Sequence, residues 1–259
     1  MSMRKQFYIG LGIGTPVLLL GLWFLLSAGS TNTFFPPLST ILVRFQQLWV
    51  FDHFASDVLP SLANLLIGFA VAAIAGVVLG FLLTFMPRLR GFVDPVIHLF
   101  RSIPPVALIP ILISLLGFGV EMRVYSIALA AVFPTLIATM DGLRSVDSTL
   151  KDVSSVYRLS LPERITQVYF PAASPQIASG LQVSLQTAFV VMIASEMLGS
   201  SQGIGAMTLL AQQSFMISDM WAGILLLGVI GFLTNMVFEL GRRRVLAWYI
   251  GSRRLARSN

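Results

Sequence analysis

KDVSSVYRLSLPERITQVYFPAASP, from Lys151 to Pro175, is the stretch on which the reading of this chain turns. The sequence on both sides is almost all hydrocarbon. Here Lys151, Asp152, Arg158, Glu163 and Arg164 fall within a few helical turns. Val153, Val156 and Tyr157 share one helical face, and Ile165, Val168 and Tyr169 come after a break. Pro162 marks the break, because its nitrogen has no hydrogen to donate inside a helix. Ser160, with Glu163 three residues on, reads as a capping box that starts a second helix. The spacing predicts helix, turn, helix. Part of its apolar stripe covers the ends of neighbouring elements, and the rest wants a partner. The segment is longer than the roughly 2–8 residues that usually join packed helices.

The surroundings say what kind of protein needs such a segment. The chain has 259 residues, 56% hydrophobic and 11% charged. A soluble domain carries about 25% charged residues, so the chain reads as an integral membrane protein. There is no cysteine, which excludes disulfides, a thiolate nucleophile and a thiolate metal site. His53 and His98 are too far apart in sequence to suggest a metal site. The net charge of +6 comes from basic residues beside the apolar runs. That is the pattern of topology signals, and no nucleic-acid partner is implied.

A bilayer core takes about 20 apolar residues per helix. Six runs qualify: 7–28, 58–86, 93–117 interrupted by Pro104 and Pro105, 121–141, 172–198 and 219–241. The first is longer than the roughly 7–15 apolar residues of a signal peptide and reads as a retained span. Between the first two, Pro37 to Val50 has a helical stripe of Leu38, Ile41, Leu42, Phe45, Leu48 and Trp49, predicting a short helix on the outer membrane face. With the N-terminus inside, only Arg44 and Arg123 of the 17 Lys and Arg residues fall outside. Both termini are therefore expected in the cytoplasm, as is the segment from Lys151. The expected organisation is an N-terminal span and outer linker over 1–35, a transmembrane unit over 36–245, and a basic cytoplasmic tail over 246–259.

The segment resembles the cytoplasmic EAA loop of ATP-binding-cassette importer permeases, here over about 148–171. That loop reads Glu-Ala-Ala, three residues, Gly, and about a dozen residues to a Leu-Pro-like end. Asp152-Val153-Ser154 stands at Glu-Ala-Ala, Arg158 at the Gly, and Phe170-Pro171 at the close. FRSIPPVALIPILISLLGFG (Phe100 to Gly119), DGLRSVDSTL and ASEMLGSSQGIGAM (Ala194 to Met207) are similar to the nitrate, sulfonate, taurine and bicarbonate permeases of that group. The resemblance implies an all-α integral membrane protein of six transmembrane helices, with the type I importer permease fold, in the bacterial plasma (inner) membrane. A coupling helix would lie between spans four and five. It implies a second permease copy, expected as a homodimer with a heterodimer as the alternative. Two ATP-binding cassette subunits and an extracytoplasmic solute-binding protein complete the assembly. No cofactor is implied in this chain, since ATP and Mg belong to the partner ATPase. Consistent with that, there is no G-x-x-x-x-G-K-[ST]. Gly10, Gly12 and Gly14 read as helix-packing positions. The coupling residues would be Asp152, Val156, Tyr157, Arg158, Leu161, Pro162, Arg164 and Pro171. Arg158 and Arg164 would pair with the ATPase or lipid phosphate, or only anchor the loop on the positive-inside face.

Polar groups within a span tend to face the bundle or a water-filled path. Ser179, Gln182 and Gln186 keep helical spacing in span five, and line the pathway or join helices as packing hydrogen bonds. Glu196 is expected at the outer end, beside the pathway. Arg101 and Ser102 precede the proline pair; Arg101 attracts an anion moving inward or snorkels to headgroups. No H-E-x-x-H, paired carboxylates or Ser-Lys or Ser-His constellation points to an enzyme. A secondary transporter would show more helices and paired repeats. The expected solute is a small anion of the sulfonate, taurine, nitrate or bicarbonate class. The alternative is a vitamin or a pyrimidine or thiamine-precursor solute.

Overall fold

The computed structural model describes residues 3–249 and 251, and side chains from Gly14 onward with the exception of Pro16 and Ile250. Among the described residues there are helices and no strands. The centre is three long helices: α3 (Leu59–Phe85), α6 (Val120–Arg144) and α9 (Phe170–Gly199). They meet along small residues. A Cβ on Gly68 would strike Ile127 at 2.6 Å, one on Gly76 would meet Thr135 at 2.8 Å, and one on Gly80 would meet Thr139 at 2.6 Å. On the other side of α6, Gly180 of α9 lies against Ala138. This is the small-residue packing by which membrane helices gain dispersion contact, since lipid offers no hydrophobic drive between them. Leu65, Ala72, Ile127, Ala131, Ala188 and Met192 fill the remaining space. The Ser184 hydroxyl of α9 donates to the Ala131 carbonyl of α6.

Among the described residues, four apolar helices are long enough to cross a membrane: Phe54–Phe85, Val120–Arg144, Leu161–Gly199 and Ile217–Val245. The run expected as one span over 93–117 is instead two helices, α4 (Pro87–Ser102) and α5 (Ile109–Leu116), bent by 93°. Ile103 is extended, at φ −85° and ψ 124°, as a residue before proline tends to be. Pro104 and Pro105 then remove two backbone donors. α4 keeps Ile97 against Leu83, Leu136 and Met140 and stacks Phe100 on Phe133.

The expected outer helix runs from Leu38 to Phe45 (α2), with a π-helical continuation to Asp52. Its apolar stripe is packed against the bundle. Leu38, Ile41 and Trp49 pack against Ile204, Ala222, Leu226 and Ile230, which buries Trp49. Arg44 forks onto Asp219 at the start of α11 (Ile217–Val245), with Nη2 to Oδ2 at 2.7 Å. The bidentate geometry fixes orientation as well as charge. α1 (Met3–Ser27) touches the bundle near its end, where Trp23 meets Phe35 and Trp221 and Ser27 Oγ accepts the Leu38 amide. Gly14 faces open space rather than a helix, so the close packing expected there belongs to α3. Gly10 and Gly12 lie outside the residues with described side chains. Most of the tail beyond Tyr249 lies outside the described residues.

Gly80→Leu is expected to destabilise the protein by about 1–3 kcal/mol through overpacking. Gly91→Leu, at a position with nothing within 4 Å, should change stability by less than about 0.5 kcal/mol. Thermal unfolding in nanodiscs separates them, and equal midpoints would contradict the packing described.

Candidate functional site

At one end of the bundle, α6 and α9 are joined by an elbow. Its first half is α7 (Ser148–Val156), capped by Asp147, whose Oδ1 accepts the Thr149 amide at 2.7 Å. That bond holds the Asp147 carboxyl below the usual carboxylate range. A carboxylate with a lowered folded pKa keeps its contribution at neutral pH and loses it as pH falls through that lowered value. α7 ends in a Schellman turn. The Arg158 amide reaches the Ser155 carbonyl at 3.0 Å and the Leu159 amide reaches the Ser154 carbonyl at 3.1 Å. The turn places Arg158 at φ +51°, the left-handed region where glycine carries no steric penalty. Arg158 is a residue with a side chain held where glycine would be unstrained.

The second half corrects the expected break. The turn ends α7 before Pro162, and Pro162 sits in the first turn of α8 (Leu161–Arg164), where its missing hydrogen is harmless. Ser160 and Glu163 form the capping box, with the Ser160 amide 2.7 Å from Glu163 Oε2. The helix then runs on through a π turn ahead of Pro171 into α9. The second helix is thus an extension of α9, giving 39 residues from Leu161 to Gly199. That is about 58 Å at 1.5 Å per residue, well beyond a bilayer core of about 30 Å. Tyr169 stands edge-on to Phe85 and Phe170 stacks on Phe81, so this part covers helix ends. Val156, Tyr157 and Leu161 cover nothing; they are 79%, 76% and 60% exposed. Asp152 is exposed beside them. Arg164 is drawn inward, with its Nε 2.9 Å from the Leu159 carbonyl.

A cleft of about 620 Å³ opens where the α4–α5 break leaves α6 and α9 uncovered. Arg101, Asp141, Gln176, Ser179, Ser126 and Thr187 supply its polar lining, with Phe100, Phe133, Leu108 and Val183 among the apolar walls. Arg101 and Ser179 therefore share one space. Ser102 is outside it, bonded to the His98 carbonyl at 2.8 Å. Gln182 is not among the cleft's lining residues; its Nε2 donates to Asn235 of α11 at 3.1 Å. Gln186 lies in a smaller recess with Val106, Val183 and Val190. Asp141 and Gln176 were not singled out from sequence. Both lie near helix ends, where a polar residue carries no distinguishing signal.

At the opposite end from the elbow, Glu196 is fully buried and lines no open path. It helps cap α10 (Ile204–Gln213). Its Oε2 accepts the Gly205 amide at 2.9 Å, Asp57 Oδ1 accepts the Gly203 amide at 2.7 Å, and Ser61 Oγ accepts the Ile204 amide at 3.2 Å. Carboxylates at a helix start satisfy orphan amides and complement the dipole. Gly203, at φ +113°, has the Glu196 carboxylate where a Cβ would sit. Glu196→Ala is expected to destabilise by about 1–2 kcal/mol. Glu196→Gln keeps an acceptor oxygen and should lose less than half of that. Equal losses in thermal unfolding would refute the capping role.

The family described as binding-protein-dependent transport system inner membrane component matches residues 72–247. SsuC of Bacillus subtilis, named for aliphatic sulfonates transport, is 30% identical over 95% of this chain and 90% of its own length. TauC of Escherichia coli, a taurine transport system permease protein, is 25% identical over 93% of this chain and 90% of its own. The nitrate import permease protein NrtB of Synechocystis is 28% identical over 84% and 82%. Among solved structures, the inward-facing MetNI methionine ABC transporter matches at a TM-score of 0.63 and 18% identity, covering 79% of this chain and 96% of that one. That likeness shows a shared fold. The elbow, the broken helix and these matches agree: the chain belongs to the binding-protein-dependent transport system inner membrane component family, and is a permease subunit of an ATP-binding-cassette importer rather than an enzyme.

Proposed function

We propose that this permease passes a small oxyanion of the sulfonate, taurine, nitrate or bicarbonate class inward along the cleft. The cleft supports the reading through Arg101, the one Lys or Arg among its described lining residues. Low-dielectric walls strengthen the pull of such a charge on an anion. The named solutes of SsuC, TauC and NrtB lie within the same chemical class. α1 supplies a sixth crossing, both termini face the cytoplasm, and the permease unit runs over about 36–245. Fifteen of the 17 basic residues then lie on the inner side, as the positive-inside rule asks.

Two copies related by a two-fold axis form the full pathway. A binding protein delivers solute outside, and two ATPases hold ATP and Mg below. The elbow is the handle they grip. Val156, Tyr157 and Leu161 are its anchors, Asp152 and Arg158 flank them, and Pro162, Arg164 and Pro171 fix its shape. Because it joins α6 to α9, ATPase closure moves both walls of the cleft together, switching access between two rigid-body states.

Arg101→Gln is expected to lower ATP-driven anion uptake in proteoliposomes by about tenfold or more, with Arg101→Lys restoring part of it. Unchanged uptake in the Gln variant would sink the anion reading. The chain lacks cysteine, so Tyr157→Cys introduces a single thiol, which should crosslink to the ATPase subunit; a thiol that reaches lipid alone would remove the handle. Arg158→Gly should firm the elbow by about 1 kcal/mol by relieving its left-handed strain, read as a higher thermal midpoint than wild type. A lower midpoint would refute the strain.

A further inference from the structure

The same cleft is lined by an acid as well as a base, and a selective subsite there rests on the cleft being the solute path. Arg101 lies in the last turn of α4, Asp141 in the last turn of α6, and Gln176 near the start of α9. Neither Arg101 nor Asp141 makes an ion pair among the described residues. The hydroxyls of the lining are already committed. Ser126 donates to the Met122 carbonyl at 2.8 Å, Ser179 to Pro175 at 3.0 Å, and Thr187 to Val183 at 3.0 Å. A hydroxyl has one hydrogen and two lone pairs. With the hydrogen spent on the helix, each offers only acceptor capacity to the cleft.

The donors left for a solute are the Arg101 guanidinium and the Gln176 amide. The acceptors are the Asp141 carboxylate, the Gln176 side-chain carbonyl and three hydroxyl oxygens. A bare oxyanion suits the first set and is repelled by the second. A solute bearing both an oxyanion and an ammonium satisfies both. Phe100, Phe133 and Val183 supply apolar wall for a short methylene linker, and exclusion of water raises the weight of each charge.

We infer that the cleft is a bipolar subsite for a zwitterion, an aminoalkylsulfonate, with the sulfonate on Arg101 and Gln176 and the ammonium toward Asp141. Asp141 is the specificity-determining group, because a solute without an ammonium brings no positive charge to it. Taurine and isethionate are suitable probes. They share a two-carbon sulfonate and differ only in ammonium against hydroxyl.

Binding is measured on the permease–ATPase complex in nanodiscs without binding protein, so that the delivery protein's own selectivity does not enter. Wild type is expected to bind taurine about tenfold or more tightly than isethionate, as a charged hydrogen-bond pair supplies. Asp141→Asn should close that gap by weakening taurine while isethionate binding is retained, which also shows that the variant is folded. Arg101→Gln should weaken both. Equal binding of the two probes by wild type, or a gap that survives in Asp141→Asn, overturns the inference. If that happens while Arg101→Gln still weakens both, the anion pathway stands and only the zwitterion subsite falls. If Arg101→Gln changes neither, both readings fall.

Discussion

The close approach of α3, α6 and α9 is the constraint on which the rest of the molecule depends. Helices in lipid gain nothing from leaving water, so they must touch closely enough for dispersion to hold them. Gly68, Gly76 and Gly80 on one side of α6, and Gly180 on the other, permit that contact. The result is a rigid three-helix wall. The elbow that leaves α6 and re-enters through α8 into α9 is attached to this wall at both ends.

The second constraint is backbone satisfaction. A proline pair within an apolar run leaves peptide groups without helical partners, which membrane proteins tolerate where the chain is buried or lines a cavity. The break at Ile103 to Pro105 does the latter. By swinging α4 away from α9 it uncovers the inner parts of α6 and α9. The cleft is thus a consequence of where the helix fails, and Arg101 reaches it because it sits in the last turn before the failure. At the other end the problem is solved by side chains. Asp57, Ser61 and Glu196 satisfy three successive amides at the start of α10. These buried acids are part of the scaffold, although a carboxylate in an apolar run looks functional in sequence.

Legibility tracked the range of the interaction. The elbow was readable because its signals are local: Ser160 and Glu163 are three residues apart, and the apolar stripe has a helical period. The four long spans were readable because length and hydropathy suffice. What misled was ambiguity between neighbours. Gln182 and Gln186 are four residues apart, yet one meets Asn235, 53 residues away, and the other faces an open recess. Pro162 looked like a breaker, but the turn at Arg158 had already ended the helix. The proline pair marked an interruption without stating its angle, which depends on Ile97 and Phe100 finding α6.

The sequence by itself determined that the chain lives in a membrane, where its long helices fall, and that a polar elbow interrupts them. Each of these comes from composition, from the cost of bare peptide groups in hydrocarbon, and from capping chemistry within a few residues. Only the tertiary structure decided which polar groups share a space. Arg101, Asp141 and Gln176 come from three helices, and nothing within any one of them encodes the others. Their meeting depends on the glycine contacts that set the helix separation and on the bend that opens one side. Those contacts join residues dozens of positions apart and leave no local trace.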